Sequence, residues 1–113
     1  MVLEGGTSMF DFTDVGDVVD GLMRLIAATQ RSELLPPIHF VSGKGTTLSE
    51  LAEMAMSYGS ADVKMSEALP RSFDVHAFVG DPSRALSLLG WQATTDIRAT
   101  MQRLVASLHI QCA

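Results

Sequence analysis

Between Arg71 and Trp91 the run Arg-Ser-Phe-Asp-Val-His-Ala-Phe-Val-Gly-Asp-Pro-Ser-Arg-Ala-Leu-Ser-Leu-Leu-Gly-Trp writes the boundaries of one strand and one helix. Asp81-Pro82 predicts a helix start. The carboxylate can accept amides orphaned in the first turn, and proline at the first helical position loses no bond that it could have made. Gly90 is the matching stop, and Trp91 beyond it is expected to pack as a hydrophobic cap. Upstream, Val75, Ala77 and Val79 alternate with His76 and Phe78, the period of a short strand. A strand feeding a helix in this way points to a mixed class, and the rest of the chain agrees.

Met9 to Thr13 mixes β-branched and aromatic residues and reads as a strand-like entry. The acids Asp14 and Asp17 then suit the first turn of a helix carrying Val15, Val18, Val19, Leu22, Leu25 and Ile26 at helical spacing to about Thr29. Gly21 weakens that helix by roughly 1 kcal/mol relative to alanine. A linker from Gln30 closes on Pro36 and Pro37, and the apolar run Ile38 to Val41 predicts a buried strand. Thr47 and Glu50 have capping-box spacing for a helix with Leu48, Leu51, Ala55 and Tyr58 near one face and a stop at Gly59. Asp62 to Met65 reads as a further short strand. Thr94 or Thr95 is expected to cap a last helix with the stripe Ile97, Met101, Leu104, Val105 and Leu108. The predicted order is β-α-β-α-β-β-α-α, an α/β (α+β mixed) fold of three to four helices with short strands, in one domain over residues 1–113.

With 113 residues and 47% hydrophobic content, the chain suffices for one domain and is too short for two. A charge of −5, from 8 basic against 13 acidic residues and with no basic run of three, argues against nucleic acid as a partner. No apolar segment approaches the roughly 18 to 20 residues that span a bilayer. The N-terminus lacks a basic region and a signal-like apolar run, so export is not expected. Cys112 is the single cysteine, which fits a reducing compartment. The expectation is a cytoplasmic protein without a membrane partner.

Three blocks carry a family resemblance. Arg71 to Trp91 resembles a run in which Arg-Pro-Gly-Asp precedes a strand, an Asp-Pro-Ser helix start and a Leu-Gly-Trp helix end. Met9-Phe-Asp-Phe-Thr-Asp-Val-Gly-Asp-Val-Val19 resembles Arg-Asp-Phe-x-His-Val-x-Asp-Val, and Ser42-Gly-Lys-Gly-Thr-Thr47 resembles a Gly-Ser-Gly-x-x-Thr-Ser loop before a helix. All three belong to the extended short-chain dehydrogenases/reductases, the NAD-dependent nucleotide-sugar epimerase/dehydratase family, and the resemblance runs from Gly5 to about Leu108. It departs at Ser72 and Phe73, where Pro-Gly is common, at Phe10, where a phosphate-binding arginine is frequent, and at Asp14, where a histidine is frequent. Some members carry an aromatic at the place of Phe10, which argues for a different subgroup.

The resemblance implies the C-terminal, substrate-binding lobe of such an enzyme, without a complete Rossmann domain. It assigns Arg71 to the substrate diphosphate, which a guanidinium can hold through paired donors, and Asp74 to ribose hydroxyls. NAD or NADP is implied for the full-length family and none for this chain, since the glycine-rich phosphate turn and the catalytic groups lie upstream of the part present here. Tyr58 is the only tyrosine and Asp62 stands four places on, so the family's Tyr-x-x-x-Lys pair is absent. The Ser42 to Thr47 loop fails as a P-loop because Ile38 occupies the first glycine position, and it reads as structural. Asp11 and Asp17 read as turn and cap residues. His39, His76 and His109 have no metal spacing.

The expected function is a substrate-lobe fragment of an NAD(P)-dependent nucleotide-sugar epimerase/dehydratase, at most binding a nucleotide-diphosphate sugar and not catalytic alone. The alternative is a stand-alone interaction or oligomerisation module, as a homo-oligomer or completed by a separate Rossmann chain. The apolar content and Met54, Met56 and Met101 in the helices motivate it.

Overall fold

The computed structural model describes residues 2–31, 34–59, 66–69 and 76–112. In chain order the elements are β1 (Val2–Glu4), β2 (Met9–Phe10), α1 (Val15–Gln30), β3 (Thr46–Thr47), α2 (Leu48–Tyr58), β4 (Ser66–Ala68), β5 (Ala77–Phe78), α3 (Ser83–Leu89) and α4 (Ile97–Cys112). The expected mixed class of four helices with short strands holds. Two small ladders form among the described residues: β1 lies parallel to β4, and β2 sits between antiparallel β3 and parallel β5. Phe10 is in register with Thr46 on one side and Phe78 on the other, so the first and third motif blocks meet at β2.

Helix ends follow the sequence closely. The Thr47 hydroxyl accepts the Glu50 amide at 3.1 Å to open α2. Gly59 ends it with extended φ of −82° rather than through the left-handed region. Asp81 accepts the Ser83 amide at 2.9 Å, so α3 starts one residue after Pro82. Gly90, at φ +63°, turns the chain so that the Gly90 and Trp91 amides reach back to the carbonyls of Leu86 and Ala85.

Several expectations are corrected. Ile38 to Val41 is not a strand. Pro36 and Pro37 lack ladder donors, and the segment packs through side chains instead, with Phe40 over Gly21 and Val41 against Gly80. The cap of α4 is Asp96, whose carboxylate accepts the Arg98 amide at 2.9 Å, and neither Thr94 nor Thr95. At the start of α1 the cap is Asp14, while Asp17 bonds elsewhere. Strand β1 was not foreseen. The strand expected over Asp62 to Met65 and the residue Val75 lie outside the described residues, as do Arg71 and Asp74.

Packing pairs α1 with α3 and α2 with α4. Among the described apolar residues only Ala28, Met54, Ala85 and Trp91 are buried. The shape explains this. Extents of 53 × 38 × 17 Å describe a plate, and the radius of gyration of 17.1 Å exceeds the roughly 13 Å of a compact chain of this length. No described helix is long and apolar enough to cross a membrane.

Candidate functional site

Three aspartates at spacing three, Asp11, Asp14 and Asp17, tie the first motif block to three separate parts of the chain. Asp11 follows β2 and accepts five hydrogen bonds: from the Ser42 amide at 2.9 Å and hydroxyl at 2.6 Å, the Gly43 amide at 2.8 Å, the Gly80 amide at 3.3 Å and the Thr13 hydroxyl at 3.1 Å. One carboxylate thus holds the second block and the middle of the third. Burial works against its charge, yet the Ser42, Gly43 and Gly80 donors outweigh it and keep the carboxyl below its usual range.

Asp14 is buried and accepts the Gly16 amide at 2.8 Å, the Thr100 hydroxyl at 2.6 Å and the Arg103 guanidinium, joining α1 to α4. The Thr100 and Arg103 bonds lower its pKa. Asp17 accepts the Thr95 amide at 2.9 Å and the Thr94 amide and hydroxyl at 3.2 and 3.1 Å. Its backbone carbonyl takes the Trp91 indole N–H at 2.7 Å. Arg24, about two turns further along α1, donates to the Leu89 and Gly90 carbonyls at 3.2 and 3.0 Å, satisfying the open end of α3.

The second block is shaped by close approach. A side chain at Gly45 would meet the Met9 sulfur, and Gly43 sits at φ +79° against Pro82. The segment is structural, as its sequence suggests, but it also forms one wall of a cleft of about 300 Å³. Phe12, Ser42, Lys44, Thr46, Thr95 and Asp96 contribute to the lining. Hydroxyls, an ammonium group and a carboxylate suit hydrogen bonding to a polar ligand, and among the described residues no histidine lines the cleft. Among the described residues no group of three or more His, Cys, Asp or Glu could hold a metal ion.

Of the residues singled out in the sequence, Asp11 and Asp17 are brought together with the second and third blocks as structural anchors. Arg71 and Asp74 fall in the undescribed stretch that precedes β5. Arg24, Thr100 and Arg103 were not anticipated. The recurrence of aspartate every third residue was the available signal for anchoring, but apart from Thr13 and Gly16 their partners lie 31 to 89 residues away and no local pattern names them.

No family model matches the chain. It is 28% identical over 100 residues to the GDP-6-deoxy-D-talose 4-dehydrogenase of Aggregatibacter actinomycetemcomitans, a match covering 86% of this chain and 33% of that enzyme. Among solved structures it is similar to RMD from Pseudomonas aeruginosa complexed with NADPH, with a TM-score of 0.84 and 18% identity, over 98% of this chain and 36% of that one. It is similar also to the UDP-glucose-4-epimerase of Stenotrophomonas maltophila with bound NAD and formylated UDP-arabinopyranose, with a TM-score of 0.84 and 19% identity, over 100% of this chain and 36% of that one. The chain therefore spans about a third of the length of the curated relative it matches. The resemblance read from the three blocks holds: the fold is a part of that found in NAD-dependent nucleotide-sugar epimerases and their dehydrogenase relatives.

Proposed function

We propose that these 113 residues are the substrate-binding lobe of an NAD(P)-dependent enzyme acting on a nucleotide-diphosphate sugar, and that the lobe binds the nucleotide part of that substrate without carrying out the reaction. The observation that carries this reading is the Asp11 carboxylate. It hydrogen-bonds Ser42 and Gly43 of the second motif block and Gly80 within the third, so blocks that resemble one family in sequence form one frame in space.

In this reading Arg71 holds the diphosphate and Asp74 the ribose. Both stand shortly before β5, which pairs with β2 and is thereby fixed to the Asp11 frame. A planar guanidinium offers two parallel donors to phosphate oxygens, and a carboxylate accepts from vicinal hydroxyls. Phe10, in place of a second phosphate-binding cation, leaves the diphosphate fewer charged contacts and favours weak binding by the lobe alone. In the parent enzyme NAD(P) would accept and return a hydride. The phosphate turn and the Tyr-x-x-x-Lys pair for that chemistry are not among these residues, so the reaction requires a dinucleotide-binding part.

Thermal unfolding of the chain with UDP-, dTDP-, GDP- and CDP-sugars and with NAD(H) tests the proposal. A Tm rise with one nucleotide sugar and none with NAD(H) is expected, since a ligand at 100 times its Kd stabilises by about 2.7 kcal/mol. No rise with any sugar, or turnover of cofactor by the chain alone, would contradict it.

A further inference from the structure

Thr46, on β3, is only 7% exposed, and its hydroxyl makes no hydrogen bond with any described residue. Among the described residues no sealed side-chain oxygen or nitrogen lacks a partner, so this oxygen opens onto a space. The space that Thr46 lines is the cleft of about 300 Å³. A hydroxyl this deep is costly without a partner, and a ligand that pairs with it recovers the cost. Thr95 adds a second hydroxyl to the lining, Gln92 an amide and Lys44 an ammonium group, none of them bonded through its side chain to a described residue. Phe12 contributes a half-buried ring, met edge-on by Phe10 at 6.1 Å.

The remainder of a longer fold is a poor match for this space. A packing partner covers apolar surface, whereas here it would have to supply a hydrogen bond to each hydroxyl, amide and charge it buried. The apolar surface open to such a partner lies along α1, where Val15, Val19, Leu22, Met23 and Ile26 are exposed, and none of the five lines the cleft. Charge narrows the ligand further. Lys44 and the first turn of α4 favour an anion, but Asp96 lines the same cleft, the Asp17 carboxylate bonds Thr94 and Thr95, and that of Asp11 bonds Ser42. Three carboxylates beside one ammonium group repel an anion on balance.

We propose that the cleft binds one uncharged sugar ring, a monosaccharide of hexose size. Sugar hydroxyls both donate and accept, as do Thr46, Thr95 and Gln92, while Lys44 donates and the Asp96 oxygen not used by the Arg98 amide accepts. The negative face of the Phe12 ring suits the C–H face of a pyranose. The volume stands at the small end of ligand sites, roughly 300 to 1,000 Å³, which suits one ring better than a nucleotide. The inference does not rest on the nucleotide-sugar reading, and each can fail without the other.

The test is a titration of the 113-residue chain, followed by proton–nitrogen NMR correlation spectra, with free glucose, galactose, mannose and fucose, and separately with inorganic phosphate. At least one sugar should shift the amides of residues 42–46 and 92–97 with a Kd on the order of millimolar, and phosphate should not. Thr46→Val removes a hydroxyl that no protein group uses, so its Tm should stay within about 2 °C of wild type while sugar binding weakens about tenfold or more. Lys44→Met, at an exposed position, should weaken it severalfold and decides the matter should the first variant fail to fold. No shift with any of the four sugars, shifts with phosphate in their place, or sugar binding unchanged in the folded variants would each overturn the proposal.

Discussion

The indole nitrogen of Trp91 donates a 2.7 Å hydrogen bond to the backbone carbonyl of Asp17, a residue 74 positions earlier. Trp91 is 1% exposed and stacks edge-on against Phe40 at 5.1 Å. The Asp17 carboxylate meanwhile holds the amides of Thr94 and Thr95. One turn of α1 thus grips both the end of α3 and the approach to α4, and the grip depends on a polar tip as much as on the apolar ring.

Replacing Trp91 by phenylalanine keeps an aromatic ring and loses the donor. The Asp17 carbonyl is then left short of a partner beside a small void, and a loss of about 2 to 3 kcal/mol is expected in urea unfolding followed by far-UV circular dichroism. A loss under about 0.5 kcal/mol would mean that Trp91 is only a hydrophobic lid.

Gly21 offers a test in which propensity and packing oppose each other. Alanine should strengthen α1 by roughly 1 kcal/mol, but its methyl would stand 2.6 Å from a Phe40 ring atom. The half-buried Phe40 ring meets Trp91 edge-on at 5.1 Å, a contact it would have to give up to move away. Overpacking costs about 1 to 3 kcal/mol, so Gly21→Ala should destabilise on balance, by about 1 kcal/mol at the equilibrium midpoint.

Asp11 makes stability depend on pH. Its carboxyl is held below the ordinary 3.8 in the folded chain. A depressed pKa contributes stability that is fully present above the unfolded value and is lost as pH falls through the folded one. The wild-type chain should weaken as pH drops below about 4. Asp11→Asn turns an amide toward the Ser42 and Gly43 donors and should cost about 2 kcal/mol at pH 7. The gap between the two proteins should narrow toward pH 3, read from guanidinium unfolding at each pH.

Asp14 and Arg103 form an unequal pair. The Asp14 side chain is buried and also caps α1 and accepts from Thr100, while Arg103 is mostly exposed. Arg103→Ala should cost under about 1 kcal/mol. Asp14→Ala should cost about 2 kcal/mol, because the cap and the Thr100 bond go with it. Paired chemical denaturation curves check the ratio.

Local rules made most element boundaries legible. Thr47, Asp81-Pro82 and Gly90 act within a few residues of themselves, so their geometry could be read from their neighbours. Ile38 to Val41 misled because its apolar run packs on two glycines, Gly21 and Gly80, instead of joining a ladder. Strand β1 exists through its pairing with β4, 64 residues away at Val2 and Ser66, which no local pattern records. The frame around Asp11 was half legible. The three blocks marked its parts, but Ser42, Gly43 and Gly80 meet at one carboxylate only once the chain is folded. The spacing of the α1 stripe was plain in the sequence, and its exposure was not, because spacing says which residues share a face and not what covers it.

Isothermal titration calorimetry tests the central claim most directly, with UDP- and GDP-sugars titrated into the wild-type chain and into Arg71→Ala and Asp74→Ala. The account predicts a binding isotherm for a nucleotide-diphosphate sugar with the wild-type chain, weakened about tenfold or more by either substitution because each removes a charge-assisted contact. Its free nucleoside should bind more weakly for want of the diphosphate. Equal binding by both variants, or no heat with any nucleotide sugar from a chain shown to be folded, would contradict it.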